Sequence, residues 1–494
     1  MTLIRSLNNA VSGLQTISEN FGVVSDNISN VNNENYNRRV MMMEDDPNAG
    51  VRVAAIQRQT NALMQRNYRS SLAQSEASRV RSDLYTEVSD VLGSSDGNSE
   101  LTSSINTFIA GWRELQTAPE NEAVAYKIES AAKEMASLIR EVSSELELIR
   151  QDISADVYQS VQALNANIAR VDELNTAVIS QSESSSARSG FENERDRVID
   201  EISKMVDVSV QQNSDGTIGM YTKSGVTLVS GFANSFTWDE TTFRLDSDLS
   251  SRNLVDELPE GSLRAQLQLI KPYDDAAAGA LDASDANVSP LQKLQDQLDG
   301  LVQLFVKPSN MNNPNTFAGA FGAAFDAPKT YPGDNVPGSS PYADYWQQQL
   351  FVPSDTADMD VSDMSATNFH VNENIVPNLR ILARKSPEMS KIVVSLTSRE
   401  RALSLNSLDL KDQNYESVAK AIQVNFSVRN ERVYAINNSN QATATQVRTN
   451  YRSSVGVSLD QEMARITVLQ NSYVATAKII STVNNMFATL ERAV

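Results

Sequence analysis

Cysteine is absent from this 494-residue chain, and histidine occurs once, at His370. The first absence excludes disulfides, iron–sulfur clusters, thiolate zinc sites and cysteine nucleophiles. The second rules out a multi-histidine metal centre, and any Ser-His-Asp triad must use His370. Basic charge is scarce as well. Lys and Arg number 42 against 62 Asp and Glu, for a net charge of −20. Nucleic acid is recognised through a cationic surface that displaces counterions, so no nucleic-acid partner is expected. No apolar run approaches the roughly 20 residues that span a bilayer, so no membrane partner is expected either. Arg5 follows Leu3 and Ile4 at once, which leaves no apolar stretch for a secretory signal. The expected cofactors and metals are none.

Proline is confined. Twelve of the 14 prolines fall between Pro259 and Pro387, with only Pro47 and Pro119 outside. The outer parts of the chain are therefore free to form long helices, and the middle is not. Charge is uneven too. In residues 1–40, Arg5, Arg38 and Arg39 balance Glu19, Asp26 and Glu34. In residues 455–494, Arg465, Lys478 and Arg492 balance Asp460, Glu462 and Glu491. The whole excess of acid lies between the two ends.

Both ends carry a heptad seam. Leu3, Leu7, Ala10, Leu14, Ile17, Phe21, Val24, Ile28 and Val31 follow alternating steps of four and three. Leu459, Ile466, Tyr473, Ile480 and Phe487 recur every seven residues near the other end. Ser458 and Gln461 form a capping-box pattern ahead of that second helix. Two matching seams suggest that the ends pair with each other, and packing within one molecule accounts for the seam residues alone. The remaining faces are rich in Ser, Thr, Asn, Gln and Ala. Solvated helix faces are usually charged, so a neutral face suits packing against further copies. On that reading the subunit-packing residues are Leu3, Leu7, Leu14, Ile17, Phe21, Ile28, Val31, Leu459, Ile466, Tyr473, Ile480 and Phe487.

Between the ends, residues 80–180 read as long helix, with steps of three and four from Met135 to Val178. A short helix around Phe191–Ile202 precedes period-two alternation at Val206, Val208 and Val210. Asp215-Gly216 then marks a hairpin. Residues 291–306 repeat as an amphipathic helix. Residues 308–365 have the composition of an irregular insert, and helix returns after Asn414. The expected fold is mainly α with a β-containing centre, elongated and multi-domain. Its parts are a terminal coiled coil (1–40 with 455–494), a linker or extended loop (41–79), a long-helix bundle (80–204 with 401–454) and a β-rich outer domain (205–400).

No motif for chemistry stands out. Asp355, Asp358, Asp360 and Asp363 lack the glycine and terminal glutamate of a calcium loop. Glu44, Asp45 and Asp46 read as an exposed loop, and His370 as a strand residue beside Phe369 and Val371. Trp112, Trp238 and Trp346 read as core anchors. A glycan-acting enzyme in the central insert would need a positioned carboxylate pair, and none is marked. No catalytic residue is assigned, and the chain is read as a non-enzyme.

Ser25-Asp26-Asn27-Ile28-Ser29-Asn30-Val31-Asn32, with Tyr36 and Arg38, resembles the N-terminal signature of flagellar rod, hook and hook-associated proteins. Asn27, Ile28, Asn30, Asn32, Tyr36 and Arg38 are the motif residues. Asn33-Glu34-Asn35 stands where that signature has Thr-x-Gly, and Asn35 can supply the φ > 0 of the missing glycine. Phe191–Ile202 running into Met205–Val210, and Gly456–Glu462 continuing to Thr482, narrow the resemblance to the hook-associated protein 1 family of hook–filament junction proteins. The resemblance implies a structural subunit exported through the flagellar type III apparatus and located at the junction. It implies as partners copies of itself in a ring, the hook protein, a further hook-associated protein on the filament side and an export chaperone. A hook protein or flagellin-like filament subunit is the alternative of the same class. A coiled-coil adhesin would carry a secretion signal.

Overall fold

A computed structural model describes residues 2–46, 50–93, 99–119, 121–182, 185–247, 252–271, 289–306, 316–324, 349–353, 364–375, 379, 386–399, 401–405 and 408–493. The chain forms two compact units. One comprises Met1–Arg79, Tyr158–Ala265 and Asn437–Val494, the other Val80–Val157 and Gln266–Ile436. The β-rich segment thus belongs with the terminal helices. The expected assignment of 205–400 to one outer domain does not describe these units.

In the first unit, α1 (Thr2–Ser29) pairs with the C-terminal helix α11 (Leu459–Ala493). The pair is antiparallel: Gly13 lies opposite Thr476, and Asn27 opposite Glu462. Residues 41–79, expected as a linker, instead contain most of a hairpin and the start of a helix. Strands β1 (Arg39–Asp46) and β2 (Gly50–Arg58) pair antiparallel, with Arg39 opposite Arg58. Glu44, Asp45 and Asp46 are therefore strand residues, and Glu44 pairs with Arg52 at 2.7 Å. A register shift between Met42 and Met43 leaves both exposed. The hairpin sits on α1 by close backbone approach. Gly50 has φ +93°, and a Cβ there would fall 2.8 Å from Ser12 Oγ.

Helix α2 (Ala62–Leu92), α3 (Glu100–Thr117) and α4 (Glu122–Ile179) replace the continuous helix expected over 80–180. The α3–α4 break follows from Pro119, whose ring cannot sit inside a helix. The predicted repeat holds over Met135–Val178, all within α4. In the first unit its Val161, Leu164, Ile168, Val171, Leu174 and Val178 are buried. Also there are α5 (Ser186–Met205) and the sheet β3 (Val208–Gln212), β4 (Ile218–Thr222) and β5 (Thr227–Val229). Strands β6 (Phe236–Trp238) and β7 (Phe243–Leu245) pair beyond it, and α6 (Ser262–Ile270) follows. Asn175 of α4 fixes the sheet. Its amide donates to Ile218 O at 3.0 Å and accepts from Ile218 N at 3.1 Å.

The second unit contains α3, α7 (Pro290–Val306), α8 (Phe317–Ala324), α9 (Ser386–Thr397) and the first half of α10 (Tyr415–Val455). Short strands β8 (Phe351–Val352) and β9 (His370–Val371) pair, which puts His370 in a strand as expected. The insert 308–365 is not wholly irregular: α8 carries Phe317 and Phe321 into the core. Phe325, Trp346 and the acidic residues Asp355, Asp358, Asp360 and Asp363 lie outside the described residues. A hairpin, β10 (Arg401–Leu405) with β11 (Leu408–Gln413), occupies a stretch expected as helix. Trp112 anchors the core, packed edge-on against Phe108 and Phe321 at 6.2 and 6.0 Å. Beside it, a Cβ on Gly111 would come within 2.9 Å of Ile128 Cγ1. Gly111→Ala is expected to force α3 off α4 and cost about 1–3 kcal/mol, read as a lower urea midpoint.

Candidate functional site: a buried clasp between the two ends

Of the motif residues, Tyr36 meets Asn27 directly and Arg38 meets it through Glu462, and Asn27 is fully buried on α1. Its Oδ1 accepts from Tyr36 OH at 2.8 Å and from Arg39 N at 2.9 Å. Its Nδ2 donates to Arg39 O at 3.0 Å and to Glu462 Oε2 at 3.1 Å. One asparagine thus fills four hydrogen bonds, pairing the start of β1 as a strand would and reaching α11. Arg38 completes the contact: its Nε donates to Glu462 Oε1 at 2.7 Å, and Glu462 is fully buried. Arg38 Nη1 reaches Gln59 Oε1 at 3.2 Å, and Gln59 Nε2 donates to Ser454 O at 2.7 Å. Burial pushes the Tyr36 hydroxyl up to about 12, so it stays a donor throughout the physiological range.

The turn leading into the clasp differs from the glycine turn expected. Among the described residues, Glu240 is the only non-glycine with positive φ, so Asn35 is not left-handed. Asn33 closes the turn instead. Its Oδ1 accepts from Asn35 N at 3.1 Å, and its backbone carbonyl accepts from Tyr36 N at 3.1 Å. Asn30 fastens the end of α1 by donating to Asp26 O at 2.9 Å. Asn32 is exposed, and Ile28 is half-buried on α1.

Directly beyond β2 lies a second ionic cluster. Arg58 contacts Glu192 and Asp196 at 2.8 and 2.7 Å, and Arg69 contacts Asp196 and Asp200 at 3.0 and 2.8 Å. The acids stand on one face of α5, inside the block whose pattern resembled the family. Burial pushes the Asp196 carboxyl up, but Arg58 and Arg69 outweigh it and hold it at about 2. At Asp200 burial wins over Arg69, and its carboxyl is raised. Tyr451 of α10 stacks on Tyr68 at 5.4 Å, and burial takes its hydroxyl up to about 12.

The seam residues divide. Leu3, Leu7, Leu14, Ile17, Phe21, Ile466, Ile480 and Phe487 are half-buried along the α1–α11 pair. Val31 is half-buried just past the end of α1, while Leu459 and Tyr473 are exposed. The buried seam positions are Ala10 and Val24, and Val483 of α11 is buried beside the seam. Glu462, Gln59, Arg58, Arg69 and Asp196 were not singled out as site residues. For Glu462 a signal existed: it stands four residues before Ile466, on the apolar side of the helix, where an unpaired acid would be costly.

Among the described residues no group of three His, Asp or Glu is placed to hold a metal, and no helix is long and apolar enough to cross a membrane. Lys223 donates to Ser70 Oγ at 3.0 Å, but it also forms an ion pair with buried Asp207. That pairing uses the lysine as a cation, whereas activating a serine needs a neutral amine. Both clusters join segments that are distant in the chain.

Residues 85–324 match the family described as the flagellar hook-associated protein FlgK helical domain. Residues 449–493 match the C-terminal family of the flagellar basal body rod FlgEFG proteins. The chain is 23% identical over 236 residues to flagellar hook-associated protein 1 of Salmonella typhimurium, covering 46% of this chain and 42% of the relative. It is 20% identical over 221 residues to the protein of that name in Bacillus subtilis, covering 42% and 43%. The matched span is less than half the length of these relatives. The solved flagellar hook junction protein FlgK from Burkholderia pseudomallei aligns at 15% identity with a TM-score of 0.41, covering 58% of this chain and 47% of that one.

Proposed function

We propose, starting from a chain that belongs to the flagellar hook-associated protein 1 family, that it is a structural subunit joining the flagellar hook to the filament. The observation that carries this reading is the antiparallel α1–α11 pair, closed by the clasp and left with much apolar surface. Ile4, Val11, Met463, Val468, Val474, Ile479, Met486 and Leu490 are all about half exposed or more. A monomer that kept such a pair in water would carry an unusual apolar patch. Copies packed side by side would bury it and form the wall of a tube. The partners are then copies of the chain in a ring, the hook protein on one side and a further hook-associated protein on the other. An export chaperone would cover the same surface beforehand. The site of action is the hook–filament junction outside the cell.

The mechanism is assembly coupled to order. Isolated helices are marginal in water, and half-buried seam residues such as Leu14 and Ile480 gain full burial only from neighbours. Replacing Leu14 or Ile480 with Glu in cells lacking the native chain is expected to leave hooks without filaments, seen by electron microscopy. The purified variants should keep the helical circular dichroism of the second unit. Normal filaments on either variant would remove the proposal.

A further inference from the structure

Away from the terminal pair, the first unit holds a cleft of about 440 Å³, lined from β5, β7, the loops on either side of β5 and the segment at Arg252–Leu254. Its size falls within the range of small-ligand pockets, about 300–1,000 Å³. Ser224, Thr227, Ser230 and Ser247 line it with hydroxyls, and Val226, Leu245 and Leu254 with apolar surface. Phe232 belongs to the lining yet keeps 59% of its surface in water, carried outward by a turn in which Gly231 has φ +75°. Asn234 is the opposite case, only 8% exposed. Its backbone N donates to Leu228 O and its Nδ2 to Thr227 O, both at 2.9 Å. Those bonds fix the amide, and its Oδ1 has no partner among the described residues. A nearly buried acceptor left unpaired is costly, so the cleft presents a place for one donor.

We infer that this cleft binds a sugar carrying an N-acetyl group. The inference goes beyond the assembly reading and does not depend on it. Charge argues against a phosphate or carboxylate ligand: Arg252 is the charged lining residue, and Glu257 neutralises it at 2.5 Å. A peptide adding as a strand needs a free sheet edge. Here β5 has none, because β4 pairs one side while Ala233 and Asn234 take the other. A sugar matches each part of the lining. Its ring hydroxyls exchange hydrogen bonds with serine and threonine hydroxyls, which can donate or accept. The C–H face of the ring lies on the exposed Phe232, as apolar groups lie on aromatic rings. An acetamido group brings an N–H for Asn234 Oδ1 together with a methyl group for Val226, Leu245 and Leu254. A bare hydroxyl would serve Asn234 but would leave that apolar surface uncovered.

The test titrates diacetylchitobiose into the full-length chain and follows saturation-transfer NMR. Cellobiose, the same ring skeleton without acetamide, is the reference. Diacetylchitobiose should bind, and cellobiose about tenfold more weakly, the effect of one unmade hydrogen bond. Phe232→Ala should weaken diacetylchitobiose binding several-fold, and Phe232→Trp, which keeps a stacking face, should retain it. Tyr158→Ala removes a comparably exposed ring outside the cleft and should change nothing. The exposure of Phe232 lets both of its variants fold, which unchanged circular dichroism checks. No transfer to diacetylchitobiose, or transfer that survives Phe232→Ala in full, would overturn the inference. Equal binding of cellobiose would do the same. Stronger binding of trialanine would make the occupant a peptide and equally end it.

Discussion

Glu462→Ala is expected to lower the stability of the first unit by about 3–5 kcal/mol, the usual effect of removing one member of a buried ion pair. Glu462 is fully buried, and the Arg38 side chain keeps only 10% of its surface in water. The substitution strands that guanidinium and leaves Asn27 Nδ2 without its reach to α11. Chemical denaturation followed through the terminal helices should show the loss. Glu462→Gln retains an acceptor for Asn27 and should fall between the two. Arg38→Met with Glu462→Met replaces the pair by apolar volume and should recover much of the stability. A double-mutant cycle with additive effects would show that the pair is not coupled, against the geometry. Filament growth should follow the same order, because the clasp holds the seam in register.

Asp196→Ala carries the second large effect. Asp196 serves two arginines at once, Arg58 at 2.7 Å and Arg69 at 3.0 Å, and both are nearly buried. Losing it leaves each arginine with one carboxylate, Glu192 for Arg58 and Asp200 for Arg69, and removes two charge-assisted hydrogen bonds, which should cost about 3 kcal/mol. Its pH dependence has a definite sign. The folded carboxyl sits at about 2, below the ordinary 3.8. Its contribution is therefore full above about pH 4 and disappears as pH falls through 2, a change of roughly 2 kcal/mol. Asp200 runs the other way, since burial raises it and favours the protonated form in the fold. Asp196→Asn should flatten the acid limb of the stability curve and Asp200→Asn should steepen it. Identical acid limbs for the three proteins would contradict the ionic cluster.

Much of this was legible from spacing. The seams at both ends, the repeat from Met135 to Val178 and the turn at Asp215-Gly216 are local patterns, because helix and hairpin periodicity are written in neighbouring residues. The motif residues Asn27, Tyr36 and Arg38 could be picked out by resemblance, without knowing what they touch. Other features were not legible. The hairpin at 39–58 was hidden because Met41-Met42-Met43 breaks the alternation at a bulge. Helix α8 was hidden in a run of Gly and Ala whose phenylalanines take meaning only from the rings around them.

The division follows from range. Helical periodicity, the absence of thiols, the confinement of proline and the neutrality of both ends are properties of the linear order, and they bound the fold class and the kind of function on their own. Which charges meet is not such a property. Arg38 and Glu462 stand 424 residues apart, and no local pattern can select that pairing from 104 charged side chains (42 + 62). Burial makes the selection: once α1 and α11 lie antiparallel, a carboxylate excluded from water must find the guanidinium across from it. The clasp and the Arg58–Asp196–Arg69 cluster thus exist only in the packed molecule, where desolvation gives each polar group one acceptable partner.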